Sequence, residues 1–175
     1  MAAPKKKAEK PSKKGDAAPK GPPKGMASFP EDLAGTVKYG EPLGRHTTYR
    51  IGGPASVHFV PASNEAAAGA VAWAKEHKLP YLVLGLGSNV LIRDGGFRGL
   101  VIKIGKGLDV VTHRAGTWKV GAGLAMPLLA RKTAEEGFGG VHKLIGVPGS
   151  VGGAVWMNAR CYSVSVSEVK RCPAP

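Results

Sequence analysis

The residues of this chain best suited to chemistry are glycines rather than acids or nucleophiles. Gly85-Leu86-Gly87-Ser88-Asn89-Val90-Leu91 sets two glycines around a single leucine, between two short apolar runs. Lacking Cβ atoms, the backbone there can turn tightly and approach a ligand closely, and successive amides can converge on an anion. Ser88 and Asn89 add side-chain donors. A hydrogen bond to a charged oxygen contributes about 1.5–3 kcal/mol, so three or four would hold a pyrophosphate. No lysine follows at the Walker position, and a β-type run rather than a helix follows the loop, which excludes both the P-loop and the Rossmann fingerprint. Without a ligand the same residues would make an ordinary glycine turn.

A second cluster, Gly146-Val147-Pro148-Gly149-Ser150-Val151-Gly152-Gly153-Ala154, leads into Val155-Trp156-Met157-Asn158. Four glycines in nine positions lose much backbone entropy on ordering and bury little surface in return. Close approach to a flat or charged ligand would give such a segment a reason to be ordered; a plain surface loop is the alternative. A third run, Thr47-Thr48-Tyr49-Arg50-Ile51-Gly52-Gly53-Pro54-Ala55, precedes both.

Other reactive side chains form no constellation. His46, His58, His77, His113 and His142 are scattered, with no metal-ligand spacing, and ordinary strand or surface positions account for them. Cys161 and Cys172 make neither a disulfide framework nor a metal pattern. Ser163, Ser165 and Ser167 alternate with valines, a strand pattern rather than a nucleophile arrangement, and Trp73 sits at helical spacing in an apolar stripe, as a core residue would.

The elements that would position the glycine clusters can be read from periodicity. Ser56–Val60 alternates as a strand ended by Pro61. Ser63 caps a helix through the alanine-rich segment to about Lys78. Tyr81–Leu84 and Val90–Ile92 are two β-type runs joined by the first glycine loop, and Leu100–Ile104 is another strand. Leu108–Val111 and Thr117–Val120 suit a hairpin around Ala115-Gly116. Met126–Glu136 has helical spacing, with Pro127 in the first turn and Gly137 at the C-terminal cap. Strands outnumber helices in mixed order, which predicts an α+β architecture, a sheet flanked by a few helices.

Composition sets the outer bounds. A chain of 175 residues with 43% hydrophobic content can close a core of about one domain. Its net charge of +13 is uneven: residues 1–28 hold eight lysines against Glu9 and Asp16. That segment, built of Lys, Ala, Pro and Gly, offers almost nothing to bury and is expected to be a disordered tail, with the folded domain running from 29 to 175. Neither a secretory signal core nor a membrane span is present in the sequence, so a cytoplasmic location is expected. A lysine-rich tail can bind nucleic acid non-specifically with Kd of about 10⁻⁴–10⁻⁶ M. Without aromatics or arginines it suggests no base readout, so nucleic acid is an expected partner only at that level.

Taken in order, TTYRIGGPA (47–55), LGLGSNVLIRDGGFRGLVIKIG (84–105), VGAG (120–123) and IGVPGSVGGAVWMNA (145–159) resemble the N-terminal half of the MurB family of UDP-N-acetylenolpyruvoylglucosamine reductases. The resemblance spans Leu43 to Ala159. It implies the FAD-binding PCMH-type fold shared with relatives of vanillyl-alcohol oxidase, two α+β subdomains with FAD between them. It places the FAD pyrophosphate on Gly85, Leu86, Gly87, Ser88, Asn89, Val90 and Leu91, the flavin side on Pro148, Gly149, Ser150, Gly152 and Gly153, and Asn158 near the flavin. Ser88 and Asn89 stand where some relatives carry a flavin-linking histidine, so FAD is expected to be non-covalent. The activity implied is transfer of a hydride from NADPH through FAD to the enolpyruvyl group of a UDP-sugar, giving UDP-N-acetylmuramate for peptidoglycan.

The family's proton-donating serine, its glutamate and its substrate arginine lie beyond the equivalent of Asn158, so no catalytic residue is expected in this chain. It is expected to be a fragment, truncated before the substrate-binding domain and inactive alone, with truncation or a frameshift behind its C-terminal tail. Arg160-Cys161-Tyr162-Ser163 departs from the family's Gly-Ala-Tyr-Gly type of run, and His142 replaces a common acidic residue. Another FAD-linked oxidase of the same fold is the remaining alternative within this class.

Overall fold

The computed structural model describes residues 21–169; most of the basic tail, and Cys172, lie outside the described residues. Four strands form the main sheet: β1 (Gly35–Pro42), β2 (Pro54–Pro61), β3 (Tyr81–Leu84) and β4 (Phe97–Lys103), in the order β1-β2-β4-β3. β1 runs antiparallel to β2, while β2, β4 and β3 are parallel. The helix α1 (Asn64–Glu76) connects β2 to β3 and covers one face.

Strand alternation explains what each face buries. Val57 and Phe59 of β2, with Leu100 and Ile102 of β4, face α1 and meet Ala66, Ala70, Trp73 and Ala74. Alanines on the helix let it lie close to the sheet, and Trp73 fills the remaining space together with Phe29, whose ring centroid is 5.0 Å from that of Trp73 and 4.7 Å from that of Phe59. Met26 and Ala27 pack partly against the same cluster. Ser63 caps α1 by accepting from the Ala66 amide at 3.2 Å. The helix stops where Lys78 takes φ 53° and the amides of Lys78 and Leu79 donate to Lys75 and Ala74, a Schellman ending.

On the opposite face Leu43, Ala55, Leu84, Ile92 and Val101 form a second cluster, and His58 is buried on this side too. Beyond the sheet lies a smaller α+β part: the hairpin β5 (Val111–Arg114) and β6 (Thr117–Val120), helices α2 (Met126–Glu135) and α3 (Val151–Trp156), and the short pair β7 (Arg160–Cys161) and β8 (Val164–Ser165). Its core is Leu124, Met126, Leu129, Leu144, Val147 and Ala154. Ala115 and Gly116, at φ 47° and 74°, make the expected two-residue hairpin turn. Pro127 sits in the first turn of α2, and Gly137 at φ 79° ends it with a second Schellman pair, Gly137 to Ala134 and Phe138 to Thr133.

The structure corrects the sequence expectations at five places. Val90–Ile92 is not a strand: it has no regular secondary structure, and the buried Ile92 packs with Leu43 instead of a ladder partner. The hairpin's first arm is Val111–Arg114 rather than Leu108–Val111, because the tight turn at Ala115-Gly116 fixes the register. The second glycine cluster contains a helix start: Ser150 caps α3 and Gly152 and Gly153 lie in its first turn. The serine and valine alternation makes only a two-residue strand, since Ser165 and Glu168 form a capping box that starts a 3-10 turn. β1 was not anticipated at all.

Trp73 and Trp156 should respond to truncation in opposite ways. Trp73→Ala empties a buried site and is expected to cost about 3–5 kcal/mol, whereas Trp156 is 88% exposed and its replacement by alanine should stay within about 0.5 kcal/mol. Urea unfolding followed by circular dichroism measures both; comparable losses would contradict the packing described.

Candidate functional site

The first glycine loop leaves the sheet at the end of β3, directly after buried Leu84. Gly85 offers its carbonyl to the Lys103 ammonium, which reaches across from the end of β4. Gly87 has φ 70° and lies against the backbone of His46 and Thr47, where a Cβ would collide with the His46 carbonyl. Its own carbonyl accepts from the Thr48 amide at 3.0 Å. The loop therefore folds down onto the TTYRIGG segment, and only glycine fits at that contact.

The second cluster is drawn to the same place. A Cβ on Gly85 would strike Ser150 Oγ, and one on Gly149 would lie 3.3 Å from Ser88 Oγ. Ser150 is fully buried, and its Oγ accepts from the Gly153 amide at 3.3 Å. The segment is held from behind by the VGAG turn: Met126 N donates to Gly149 O at 2.8 Å, Val151 N to Leu124 O at 2.8 Å, and Gly152 N to Ala122 O at 2.9 Å. A Cβ on Gly152 would lie 2.8 Å from the Ala122 methyl carbon. Two segments more than 60 residues apart in sequence thus meet along a seam of missing side chains.

The other expected site residues sit differently. Leu91 is 72% exposed; Val90 packs partly against the second sheet face. Pro148 is exposed beside the seam. Asn158 lies at the far end of α3, at φ 44°, where its amide donates to Val155 O and closes the helix. Its side-chain oxygen accepts from the Ser167 amide at 2.9 Å, so it braces the 3-10 turn that follows β8. Arg160 turns toward Glu168, with two contacts of 3.2 Å on the surface.

Beside the first loop opens a cleft of 920 Å³ whose walls include Arg45, His46, Thr48, Arg50, Leu86 and Lys103. Sequence reasoning assigned none of the three cations a role, although Arg50 lies within the TTYRIGG motif and Arg45 just before it. Arg50 holds φ 55°, a conformation that costs a non-glycine residue about 1–2 kcal/mol. The turn is pinned by Arg50 N donating to Thr47 O and Thr47 Oγ1 donating to Ile51 O, each at 3.2 Å. Burial pushes the Lys103 ammonium below its ordinary pKa.

Behind the cleft wall, His46 Nε2 donates to Glu41 at 2.9 Å, and its ring stacks on His58 with centroids 4.4 Å apart. Burial would raise the Glu41 carboxyl, but the His46 hydrogen bond and the Lys38, His46 and His58 charges outweigh it and hold the pKa low. Burial, reinforced by His46, brings His58 down to about 4, and neither of its ring nitrogens has a partner among the described residues.

These residues fit a diphosphate-bearing cofactor. Neither the Leu86, Gly87, Ser88 and Asn89 amides nor those of Gly149 and Ser150 donate to an acceptor among the described residues. Buried or half-buried amides, as those of Gly87, Ser88, Gly149 and Ser150 are, ordinarily find partners, and Leu86 of the same loop lines the cleft with Arg45, Arg50 and Lys103.

The profile of the FAD binding domain matches residues 55–170, and the chain belongs to that family. Its fold is the α+β, PCMH-type arrangement of FAD-linked oxidoreductases. Cholesterol oxidase from Brevibacterium sterolicum shares it at a TM-score of 0.55 and 17% identity, over 82% of this chain and 27% of that one. Within the family the chain is similar to UDP-N-acetylenolpyruvoylglucosamine reductases. It is 46% identical over 133 residues to that of Rubrobacter xylanophilus and 41% over 139 to that of Bacillus subtilis, covering 76% and 79% of this chain. The solved MurB of Thermus caldophilus superposes with a TM-score of 0.62 at 33% identity, over 78% of this chain and 46% of that one. The chain spans about half the length of these relatives, 45% and 46% for the two curated ones.

Two outcomes follow from the geometry. Gly85→Ala should destabilise the fold by about 1–3 kcal/mol through its clash with Ser150 Oγ. Adding Ser150→Gly should recover part of that loss, since glycine at a helix N-cap costs only a few tenths; a double-mutant cycle with no coupling would refute the seam. For His58, the unfolded chain takes up its proton near pH 6.5 and the folded chain near 4. Stability is therefore full above about pH 6.5 and falls as pH drops toward 4, by at most about 3 kcal/mol. Urea midpoints at pH 7.5 and pH 5 should differ less in His58→Leu than in the unaltered chain.

Proposed function

We propose that residues 29–175 form the cofactor-binding part of a MurB-type reductase that binds FAD non-covalently at the seam. The observation that carries this is the meeting of two glycine-rich segments beside a basic cleft, with the Leu86, Gly87, Ser88, Asn89, Gly149 and Ser150 amides lacking acceptors among the described residues. The Gly85, Leu86, Gly87, Ser88, Asn89, Val90 and Leu91 loop would hold the pyrophosphate, with amides and the Ser88 and Asn89 side chains as donors. Pro148, Gly149, Ser150, Gly152 and Gly153 would flank the flavin ring. The Gly149 and Ser150 amides, without acceptors among the described residues, can hydrogen-bond to ring nitrogens and oxygens. Asn158 would act near the ring through the helix end that it closes.

When bound, FAD supplies hydride transfer from NADPH to the enolpyruvyl group of a UDP-sugar, the reaction that yields UDP-N-acetylmuramate for peptidoglycan. The chain's residues would contribute binding, orientation and exclusion of water from the seam. Proton delivery to the substrate is assigned to residues outside this chain, so turnover by the chain alone is not expected. No helix among the described residues is long and apolar enough to cross a membrane, which is compatible with a cytoplasmic step acting on a nucleotide sugar.

The chain should purify yellow, or turn yellow with added FAD, and release all its flavin into the supernatant on acid denaturation. Titration by flavin fluorescence should give saturable binding, while NADPH oxidation with the UDP-sugar enolpyruvate should remain at background. A folded sample without affinity for FAD would overturn the proposal; flavin remaining with the precipitate would overturn its non-covalent part.

A further inference from the structure

We infer that Lys103 is the counter-charge of the ligand's diphosphate, a role no part of the glycine motifs supplies. Resting on the FAD reading, it extends that reading to a side chain outside both loops. Lys103 stands at the end of β4, half-buried, with its ammonium on the Gly85 carbonyl and its side chain on the cleft wall beside Leu86. No acidic side chain pairs with it among the described residues.

A cation taken partly out of water without a counter-ion is unfavourable, and buried charges are normally paired or hydrogen-bonded on all sides. One carbonyl uses one of three ammonium protons. The other two have no acceptor among the described residues, and neither have the amides of Leu86, Gly87 and Ser88 that follow Gly85 in the loop. A doubly charged diphosphate placed there would satisfy both sets at once. Arg45 and Arg50, exposed on the facing wall, add to the field but are free to pair with solvent ions, and His46 is occupied by Glu41. Of the three cations on the cleft, Lys103 is the one that bonds the loop backbone among the described residues.

The inference separates two roles that truncation would confuse: holding Gly85 in place, and carrying charge. Lys103→Gln keeps a hydrogen-bond donor for Gly85 without the charge, Lys103→Met removes both, and Lys103→Arg keeps the charge. The readout is the Kd of the full chain for FAD and for riboflavin, which has the same ring and no diphosphate, measured by flavin fluorescence quenching. Lys103→Gln and Lys103→Met should weaken FAD binding about tenfold or more, leave riboflavin binding unchanged, and flatten the salt dependence of FAD affinity. Lys103→Arg should bind FAD nearly as well as the unaltered chain.

Equal weakening of FAD and riboflavin, or undiminished FAD binding in Lys103→Gln, would overturn the inference while leaving the FAD reading in place. Absence of FAD binding by the unaltered, folded chain would overturn both. Should the uncharged variants not fold, the unaltered chain decides: FAD affinity that falls with salt while riboflavin affinity does not is the expected result, and a salt-independent FAD affinity overturns it.

Discussion

The contact between Gly85 and Ser150 is the constraint on which the arrangement depends. At that point the sheet part and the smaller α+β part, each with its own apolar cluster, approach so closely that a methyl group would not fit. Glycine loses more conformational freedom on ordering than other residues, so a seam built from glycines is destabilising in itself. Its order comes from the elements on either side: buried Leu84 at the end of β3, and the three backbone hydrogen bonds that fasten residues 149–152 to the 122–126 segment. The same device recurs where Gly53 and Gly96 pass each other, with Cβ positions closed by the Asp94 and Pro54 backbones. Close backbone approach, rather than side-chain packing, shapes this side of the molecule.

Electrostatics divides along the same line. Cations collect at the open cleft, Arg45, Arg50 and Lys103, while the one acid close behind it, Glu41, is buried and committed to His46. His58 completes that stack in its neutral form, because burial, and after it the neighbouring His46, disfavour its charged form. The wall behind the cleft is thereby kept from neutralising the positive field in front of it. A site intended for a cation or a neutral ring alone would have no need of this separation.

How much of this was legible depended on whether the signal was local. α1 could be read because its cap, its alanine-rich face and its stop are contiguous in sequence, and β2, β3 and β4 because their apolar alternation or runs are. β1 escaped because an exposed edge strand, GTVKYGEP, carries glycines, charges and no buried stripe; its pairing with β2 supplies the order. Val90–Ile92 misled in the opposite sense, since an apolar run is equally suited to a ladder or to packing one side chain, Ile92, beneath a loop. The glycine clusters were visible as motifs, but their mutual contact was not, because close approach across more than 60 residues leaves no periodic trace. Lys103 was hidden within an ordinary strand pattern and acquires meaning only when β4 ends beside Gly85.

The fold alone does not decide the chemistry. Cholesterol oxidase shares it at 17% identity, so an α+β scaffold of this type is compatible with different substrates. What distinguishes this chain is local: the GSN loop, the IGVPGSVGG segment and the basic cleft, which the structure brings together between Leu43 and Ala159. Every contact that forms the seam arises within that interval, while the chain spans about half the length of its curated relatives. The close backbone approach, the amides without acceptors among the described residues and the positive charge are thus gathered in one stretch of the fold, whose arrangement no single motif shows.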